Sequence, residues 1–309
     1  MKYLSQPSVP LPASNVVLGL MRIQELSDEE LRTLVRTARD AGVNVFDHAD
    51  IYGSPRHACE QRFGDAGAVP ASERDQVVIQ SKVGIRPGYF DFSREHILAT
   101  VDESLAALNT DYLDVLLLHR PDTLVEPDEV AAAFDELEAA GKVRAFGVSN
   151  HTPGQIELLK QSVRQPLGIN QVQLSVTHAP LIAQGVAMNM LGEPQAQSLD
   201  VGLLDYSRLN KMTLQAWSPF QAGFFTGVFL GDRTNYAELN DVIDELAAAY
   251  DVTPTGIAVA WIARHPANMQ VVLGTTNPQR VADSAAGSEV PLTREEWYRI
   301  FTTAGHRLP

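Results

Sequence analysis

Short apolar runs rich in β-branched residues recur along this chain, and each is followed by a stretch with the periodicity of an amphipathic helix. This alternation is typical of a parallel sheet whose strands are joined by crossover helices. The first helical stretch begins with the capping box Ser27-Asp28-Glu29-Glu30, and Gly42 lies just past its end. Eight apolar runs have this character, at residues 16–19, 43–46, 76–81, 112–118, 143–148, 168–174, 211–217 and 270–273.

The number of runs and one absent motif favour a closed barrel over an open sheet. No G-x-G-x-x-G follows the first run, where a dinucleotide-binding doubly wound sheet carries it. The 309 residues fit one large barrel, and no Ser/Gly-rich linker divides them. We therefore predict an α/β protein, a single (β/α)8 TIM barrel domain over residues 1–309. Residues 220–236 predict a long loop that could close over a ligand, and residues 182–204 a loop and helix without an assigned role.

Composition excludes several classes of function. The chain has 38 acidic and 24 basic residues, a net charge of −14, and no basic stripe for nucleic acid. No uncharged apolar run approaches the roughly 18 residues of a membrane helix. The single cysteine, Cys59, excludes an internal disulfide and a cysteine-rich metal site. Because the N-terminal residues resemble no secretory signal, we expect a cytoplasmic protein without a nucleic-acid or membrane partner.

Ionisable residues cluster where three consecutive runs end, which is the active-site end of such a barrel. Asp47 and Tyr52 follow the second run, Lys82 the third and His119 the fourth. An ammonium at Lys82 could lower the phenol pKa of Tyr52, while Asp47 keeps the lysine charged. With His119 as a hydrogen-bond donor or proton relay, the set suits proton delivery to a carbonyl oxygen while a hydride reaches its carbon.

Each of these residues alone has a structural explanation. Asp47 and Lys82 could form only a structural ion pair. Tyr52 could be a capping aromatic residue, and a lone His119 is more often structural. The set favours catalysis because its members fall on successive strand ends.

Six motifs then resemble those of the aldo-keto reductase family, in family order and over nearly the whole length: F-D-H-A-D-I-Y-G, S-K-V-G, L-L-L-H-R-P-D, G-V-S-N-H, N-Q-V-Q and A-W-S-P. The sequence C-E-x-x-F-G at residues 59–64 is similar to the bacterial oxidoreductase branch. The resemblance implies a (β/α)8 barrel, a monomer, and a nicotinamide cofactor bound without a Rossmann domain. It also implies the catalytic tetrad Asp47, Tyr52, Lys82 and His119.

Further cofactor contacts are implied by the same resemblance. Ser149, Asn150 and Gln171 resemble the groups that hydrogen-bond the nicotinamide carboxamide, and Trp217 the aromatic residue that stacks on the ring. Ser218 begins the loop that reaches over the pyrophosphate in the family. As alternatives, Asn150 could only cap the next helix and Trp217 could be a core residue.

The segment after the last run is expected to bind the phosphates, because a helix begins there. Arg280 matches the guanidinium that the family holds near the adenosine 2′-phosphate, and as an alternative it could be only a solvated charge on the helix. Asn277, however, stands where many relatives have Lys or Arg, so NADPH is the expected cofactor and NADH the alternative. The contacts expected in this segment are Gly274, Thr275, Thr276, Arg280 and Ser284.

The substrate is expected to be a small carbonyl compound of unspecified identity. His48 and Asp50 are interpreted as structural or rim groups. Residues expected to shape the pocket are Met21, Arg22, His48, Tyr89, Phe90 and the 220–236 loop.

Three functions remain open on the sequence alone. The first is NADPH-dependent reduction of an aldehyde or ketone with Tyr52 as general acid. The second is a Schiff-base lyase, which would need Lys82 neutral and is opposed by the neighbouring Asp47. The third is a non-catalytic barrel subunit that senses nicotinamide nucleotides.

Overall fold

The computed structural model describes residues 1–9, 11–190, 192–197, 202–224 and 226–309. Apolar, β-branched runs form most of the strands within these residues, as the sequence predicts. The strands are β1 Tyr3–Leu4, β2 Ala13–Ser14, β3 Val16–Gly19, β4 Val45–Asp47, β5 Val78–Val83, β6 Ile85–Arg86, β7 Tyr89–Phe90, β8 Leu113–Leu118, β9 Val143–Ser149, β10 Leu167–Gln173, β11 Thr213–Trp217 and β12 Gln270–Leu273.

Eight of these strands close into a barrel, and all pairs within it are parallel. The order around the ring is β3, β4, β5, β8, β9, β10, β11 and β12, and β12 pairs back onto β3. The predicted (β/α)8 TIM barrel is therefore confirmed, with all eight predicted runs as its strands.

Three predicted strand starts, at Val43, Gln76 and Lys211, are early by two residues. Gln76 ends the 3-10 helix Ala71–Gln76, and Lys211 lies in a turn with a φ of 54°. Both side chains are exposed, whereas Val78 and Thr213, where the strands begin, are buried. Exposure therefore accounts for the later starts at Val78 and Thr213. Val43 is buried but lies before its strand, and its backbone amide donates to the Ala38 carbonyl oxygen instead.

The crossover helices pack around the barrel, and their caps follow the sequence signals. Ser27 caps the helix Asp28–Asp40 in a full capping box with Glu30. Thr152 and Thr293 cap the helices Pro153–Leu159 and Arg294–Thr303 in the same way. The helices are α1 Asp28–Asp40, α2 Ala58–Asp65, α3 Arg94–Leu108, α4 Pro127–Ala139, α5 Pro153–Leu159, α6 Pro180–Val186, α7 Leu203–Leu209, α8 Ala237–Tyr250, α9 Pro254–Ala263, α10 Pro278–Gly287 and α11 Arg294–Thr303.

Alternate residues of each barrel strand point inward and build the interior in layers. Val45 and Val78 belong to a buried aliphatic cluster inside the barrel. Two residues further along the same strands, Asp47 and Gln80 are also buried. The interior therefore changes from aliphatic to polar toward the C-terminal ends of the strands, where catalytic groups are expected.

Two hairpins outside the barrel were not predicted, because their strands are only two residues long. The hairpin of β1 and β2 lies at the N-terminal end of the barrel, where Ala13 packs on the interior aliphatic cluster. The hairpin of β6 and β7 directly follows β5 and so lies at the C-terminal end.

The two segments singled out in the sequence are irregular as expected. The described part of 220–236 holds no helix or strand, only a bridge between Gln221 and Val228. The 182–204 segment contains the end of α6, the 3-10 helix Pro194–Ala196 and the start of α7. Residues 191, 198–201 and 225 lie outside the described residues.

Across the described ranges, no single helix combines the length and apolar composition of a membrane span. The pair α8 and α9 meets those criteria only together, and it bends by 91° at the break between its helices.

Candidate active site

Lys82 lies at the centre of the polar end of the barrel. It is an inward-facing residue of β5, and its ammonium donates three hydrogen bonds. The acceptors are Asp47 Oδ2 at 2.7 Å, the His48 carbonyl oxygen at 2.8 Å and Tyr52 Oη at 3.1 Å. The lysine side chain is fully buried, so all three ammonium protons are used inside the protein.

The ionisation of Lys82 follows from these contacts. Burial by itself would lower its pKa, but the carboxylate of Asp47 and the phenol of Tyr52 outweigh it, and the net pKa lies above its usual value. Lys82 is therefore a charged donor. This supports the expectation that Asp47 holds the ammonium charged.

The expected lowering of the Tyr52 pKa is wrong in its net direction. Burial raises the pKa of the Tyr52 phenol, and although Lys82 lowers it through its charge and hydrogen bond, burial prevails. The sequence shows the ammonium neighbour but not the desolvation that competes with it. Tyr52 is consequently protonated throughout the neutral range.

His119 follows β8 and faces Tyr52, with ring centroids 6.1 Å apart in an edge-to-face arrangement. Burial, together with the charges of Lys82 and Arg120, holds the pKa of His119 well below its usual value. Its Nδ1 is buried and has no hydrogen-bond partner among the described residues. A neutral imidazole beside the Tyr52 hydroxyl can donate to a substrate oxygen without carrying a charge.

Asp47 is held by two buried amides, of which the sequence singled out only Gln171, and for a different role. Its Oδ1 accepts from the side-chain amides of Gln80 and Gln171. Both of these amides also donate to Gln215 Oε1, at 2.9 and 3.0 Å, and Gln215 donates to Gln270 Oε1 at 2.9 Å. These glutamines form a connected amide network inside the barrel, and the sequence signal for it is a polar residue within otherwise apolar strands.

Gln171 was expected to hydrogen-bond the nicotinamide carboxamide. Its side-chain nitrogen donates to Asp47 and Gln215, whereas its side-chain oxygen Oε1 accepts no hydrogen bond from the described residues. Only this oxygen is left to receive a carboxamide N–H. Gln171 would then join the cofactor site directly to Asp47.

Ser149, Asn150 and Trp217 form one hydrogen-bonded group at the ends of β9 and β11. Trp217 Nε1 donates to Asn150 Oδ1 at 3.0 Å, and Asn150 Nδ2 donates to Ser149 Oγ at 2.8 Å. Asn150 and Ser218 have φ values of 62° and 53°, the left-handed region that non-glycine residues rarely adopt. The two strands therefore end in sharp turns, and Trp217 is fixed at the barrel mouth with part of its ring exposed.

At the start of α10, two of the backbone amides in the predicted phosphate segment are already hydrogen-bonded. Asn277 caps α10, and its Oδ1 accepts from the backbone amides of Gln279 at 2.9 Å and Arg280 at 3.3 Å. Those two amides are thus already satisfied. The Arg280 side chain is exposed and forms no hydrogen bond within the described ranges, and Gly274, Thr275 and Thr276 precede it at the barrel rim.

Ser284 was expected to approach the adenine. Its side chain is fully buried, and its hydroxyl donates to the Arg280 carbonyl oxygen within the helix at 2.7 Å. We therefore leave Ser284 out of the proposed cofactor contacts.

The expectation that His48 lines the pocket is also wrong. His48 is fully buried and packs edge-on against Phe63, with ring centroids 4.7 Å apart. Glu60, from the same helix as Phe63, accepts from Ser81 Oγ beside Lys82. The C-E-x-x-F-G sequence thus supports the strands that carry the tetrad.

Comparisons with known proteins agree with this architecture. Residues 15–302 match the sequence profile of the Aldo/keto reductase family. The chain is 35% identical to the uncharacterized oxidoreductase YcsN of Bacillus subtilis strain 168, with 97% of each chain covered. It is 33% identical to the 6-dehydroglucose reductase of Novosphingobium aromaticivorans, with 97% of this chain and 94% of that protein covered.

A solved structure shows the same fold. The crystal structure of the thermostable aldo-keto reductase Tm1743 with the inhibitor epalrestat superimposes with a TM-score of 0.77, covering 98% of this chain and 100% of that one at 23% identity. The family match over most of the chain and the two relatives agree with the oxidoreductase motifs in the sequence. The chain therefore belongs to the aldo/keto reductase family, and it is an NAD(P)H-dependent oxidoreductase that acts on carbonyl groups.

Proposed function

We propose that the protein reduces an aldehyde or ketone to the alcohol with NADPH, and that Tyr52 is the general acid. The same site would catalyse alcohol oxidation in reverse. The observation that carries the proposal is the hydrogen bond from the buried Lys82 ammonium to Tyr52 Oη at 3.1 Å. It leaves the phenol hydroxyl free to donate its own proton to a substrate oxygen.

The proton donor is supported by its neighbours. Tyr52 is protonated at neutral pH, and the Lys82 ammonium stabilises the phenolate that remains after the proton is transferred. A neutral His119 beside Tyr52 would donate a second hydrogen bond to the same oxygen and orient it.

The residues around the mouth fit a nicotinamide cofactor, which supplies a hydride when bound. Three groups suit a carboxamide. They are the side-chain oxygen of Gln171, the hydroxyl of Ser149 and the side-chain amide of Asn150. The partly exposed Trp217 ring suits stacking on a flat heterocycle. These four side chains would fix the ring and the face that it presents to the substrate.

The preference for NADPH depends on Arg280. Its side chain has no partner among the described residues, and a guanidinium fork matches a phosphate. Gly274, Thr275 and Thr276 would lie along the phosphates. Because Asn277 caps the helix and adds no cation, we expect a moderate preference over NADH.

The Schiff-base alternative is disfavoured by the same contacts. A nucleophilic lysine must be neutral, whereas Lys82 has a raised pKa and lies 2.7 Å from a carboxylate. The nucleotide-sensing alternative requires only binding, and no contact at the site favours it over turnover. We further propose a monomer that acts on small carbonyl compounds.

The proposed function is tested by titrating the protein with NADPH and NADH while following tryptophan emission. Trp217 is at the barrel mouth, whereas Trp261 and Trp297 are buried and stack on each other 4.9 Å apart in the helical layer. Quenching that saturates at lower NADPH than NADH, followed by aldehyde-dependent loss of NADPH absorbance, is the expected result. Binding without turnover on a broad carbonyl panel would favour the sensing subunit, and no binding would contradict the proposal.

A further inference from the structure

One partly buried guanidinium at the mouth of the site, that of Arg120, has no polar partner among the described residues. Arg120 follows His119 after β8 and is partly buried, yet it forms no hydrogen bond or ion pair with any described residue. Its guanidinium lies over the ring of Trp217, whose centroid is 5.8 Å from Cζ. Every other partly buried arginine forms at least one hydrogen bond.

The nearest acidic residue in sequence does not supply the missing partner. The Asp122 carboxylate accepts hydrogen bonds from the backbone amides of Leu124 at 2.8 Å and Phe92 at 3.2 Å. It therefore stabilises the backbone after β8 and does not pair with Arg120. Burial without a counter-ion lowers the pKa of Arg120, but a guanidinium remains charged at neutral pH. A partly desolvated charge without a partner is costly, and an anion bound beside it would remove that cost.

The position of Arg120 separates it from the predicted phosphate segment. That segment follows β12, which lies diametrically opposite β8 in the ring of eight strands. Arg120 instead neighbours His119, whose pKa its charge lowers, and His119 faces Tyr52. An anion held by Arg120 would therefore lie close to the carbonyl group that Tyr52 protonates.

Because the protein is negatively charged overall, an anionic substrate needs a cation within the site. The protein carries a net charge of −14, so its long-range field repels anions. An anionic substrate would need a positive group inside the mouth, where solvent screens less.

We propose that Arg120 binds an oxyanion of the carbonyl substrate, a carboxylate or a phosphate, and so selects oxo acids or phosphorylated aldehydes over neutral carbonyl compounds. The inference rests on the proposed reductase function. The Arg120 fork can donate two parallel hydrogen bonds to either group, which is the strongest pairing available to such an anion.

Matched substrates test this selection. Succinic semialdehyde is compared with butanal, and glyceraldehyde 3-phosphate with glyceraldehyde, and the ratio of kcat/KM within each pair is measured. We expect a ratio above one in at least one pair, and the pair identifies the oxyanion. Arg120→Gln should lower that ratio by about 10- to 100-fold, the worth of a charge-assisted hydrogen bond, and Arg120→Lys should restore part of it.

Arg86→Gln is the control, because Arg86 is a cation near the same end of the barrel that already hydrogen-bonds His96 at 3.2 Å. It should keep the wild-type ratio. A wild-type protein that reduces butanal and glyceraldehyde at least as well as the anions, or an unchanged ratio in Arg120→Gln, would overturn the inference while leaving the reductase function intact.

A binding measurement separates the inference from turnover. Titration with 4-hydroxybutanoate, against butan-1-ol as the neutral control, should change the emission of Trp217 in the wild-type protein and not in Arg120→Gln. If no substrate is turned over, the proposed function fails and this titration alone decides: a response lost in Arg120→Gln supports the anion site, and none in the wild-type protein refutes it.

Discussion

The ammonium of Lys82 lies 2.7 Å from the carboxylate of Asp47, and neither side chain is more than 2% exposed. A buried pair of this kind is a weak source of net stability, because desolvation offsets the attraction. Its effect is on protonation: the carboxylate keeps Lys82 charged, and the charged lysine faces Tyr52. The pair thus links an interior ion pair to the proposed proton donor.

Asp47→Asn should therefore reduce both stability and turnover. Removing the carboxylate leaves a buried ammonium without its partner, which costs about 3–5 kcal/mol and lowers the Lys82 pKa. We expect a large fall in kcat and a lower urea midpoint. Asp114→Asn is a matched control, since Asp114 is 1% exposed and pairs with Arg74 and Arg144, not with Lys82. It should lose stability but keep kcat, and a similar kcat in both variants would refute the role of Asp47.

Gln80→Met should slow turnover without weakening cofactor binding. It removes an amide that donates to Asp47, and a hydrogen bond to a charged group is worth about 1.5–3 kcal/mol. We expect kcat to fall about tenfold, with the Kd for NADPH within about twofold of the wild-type value, because the lost hydrogen bond positions the Asp47 carboxylate against Lys82. Gln270→Met breaks the same network without touching Asp47, so its kcat should stay close to the wild-type value, and an equal fall in both variants would contradict the role of Gln80.

Arg280→Ala should raise the Kd for NADPH about tenfold or more and change that for NADH much less. Only NADPH carries the 2′-phosphate that the guanidinium would bind. Fluorescence titration of both cofactors measures the two effects on the same sample. Equal weakening of both would remove the 2′-phosphate role and leave Arg280 as a general contributor to the rim charge.

Asp50→Asn should stabilise the protein increasingly as pH rises. Burial raises the pKa of Asp50 to about 6, and Arg56, 3.9 Å away, only partly opposes it. The folded state then binds more protons than the unfolded chain between about pH 4 and 6, so this carboxyl lowers stability as pH rises through that window. The advantage of the variant should grow by about 1–3 kcal/mol between about pH 4.5 and pH 7.5 in urea unfolding. A difference independent of pH would contradict the assignment.

The tetrad and the barrel could be predicted because both are local properties of the sequence. Each strand is an apolar run, and the barrel directs the residues that follow each run to one end, so Lys82 and Asp47 had to meet. The contact of Gln80 with Gln215 could not be predicted. It joins residues 135 positions apart and depends on the register of strands that are not neighbours in the ring.

The net shift of the Tyr52 pKa and the missing partner of Arg120 also lie beyond the sequence. Both depend on how much of each side chain is removed from water, and the motifs name neighbours without giving that fraction. The cap formed by Asn277 is similar, since the sequence shows a missing cation there but not the two backbone amides that the side chain satisfies.

The most direct test of the central claim is Tyr52→Phe, measured by NADPH titration and by single-turnover reduction of an aldehyde. The variant keeps the ring and removes only the hydroxyl that would donate the proton. We predict a Kd for NADPH within about twofold of the wild-type value and a rate lower by about 10²- to 10⁴-fold, as expected when a general acid is lost. A rate equal to that of the wild-type protein would show that Tyr52 is not the proton donor.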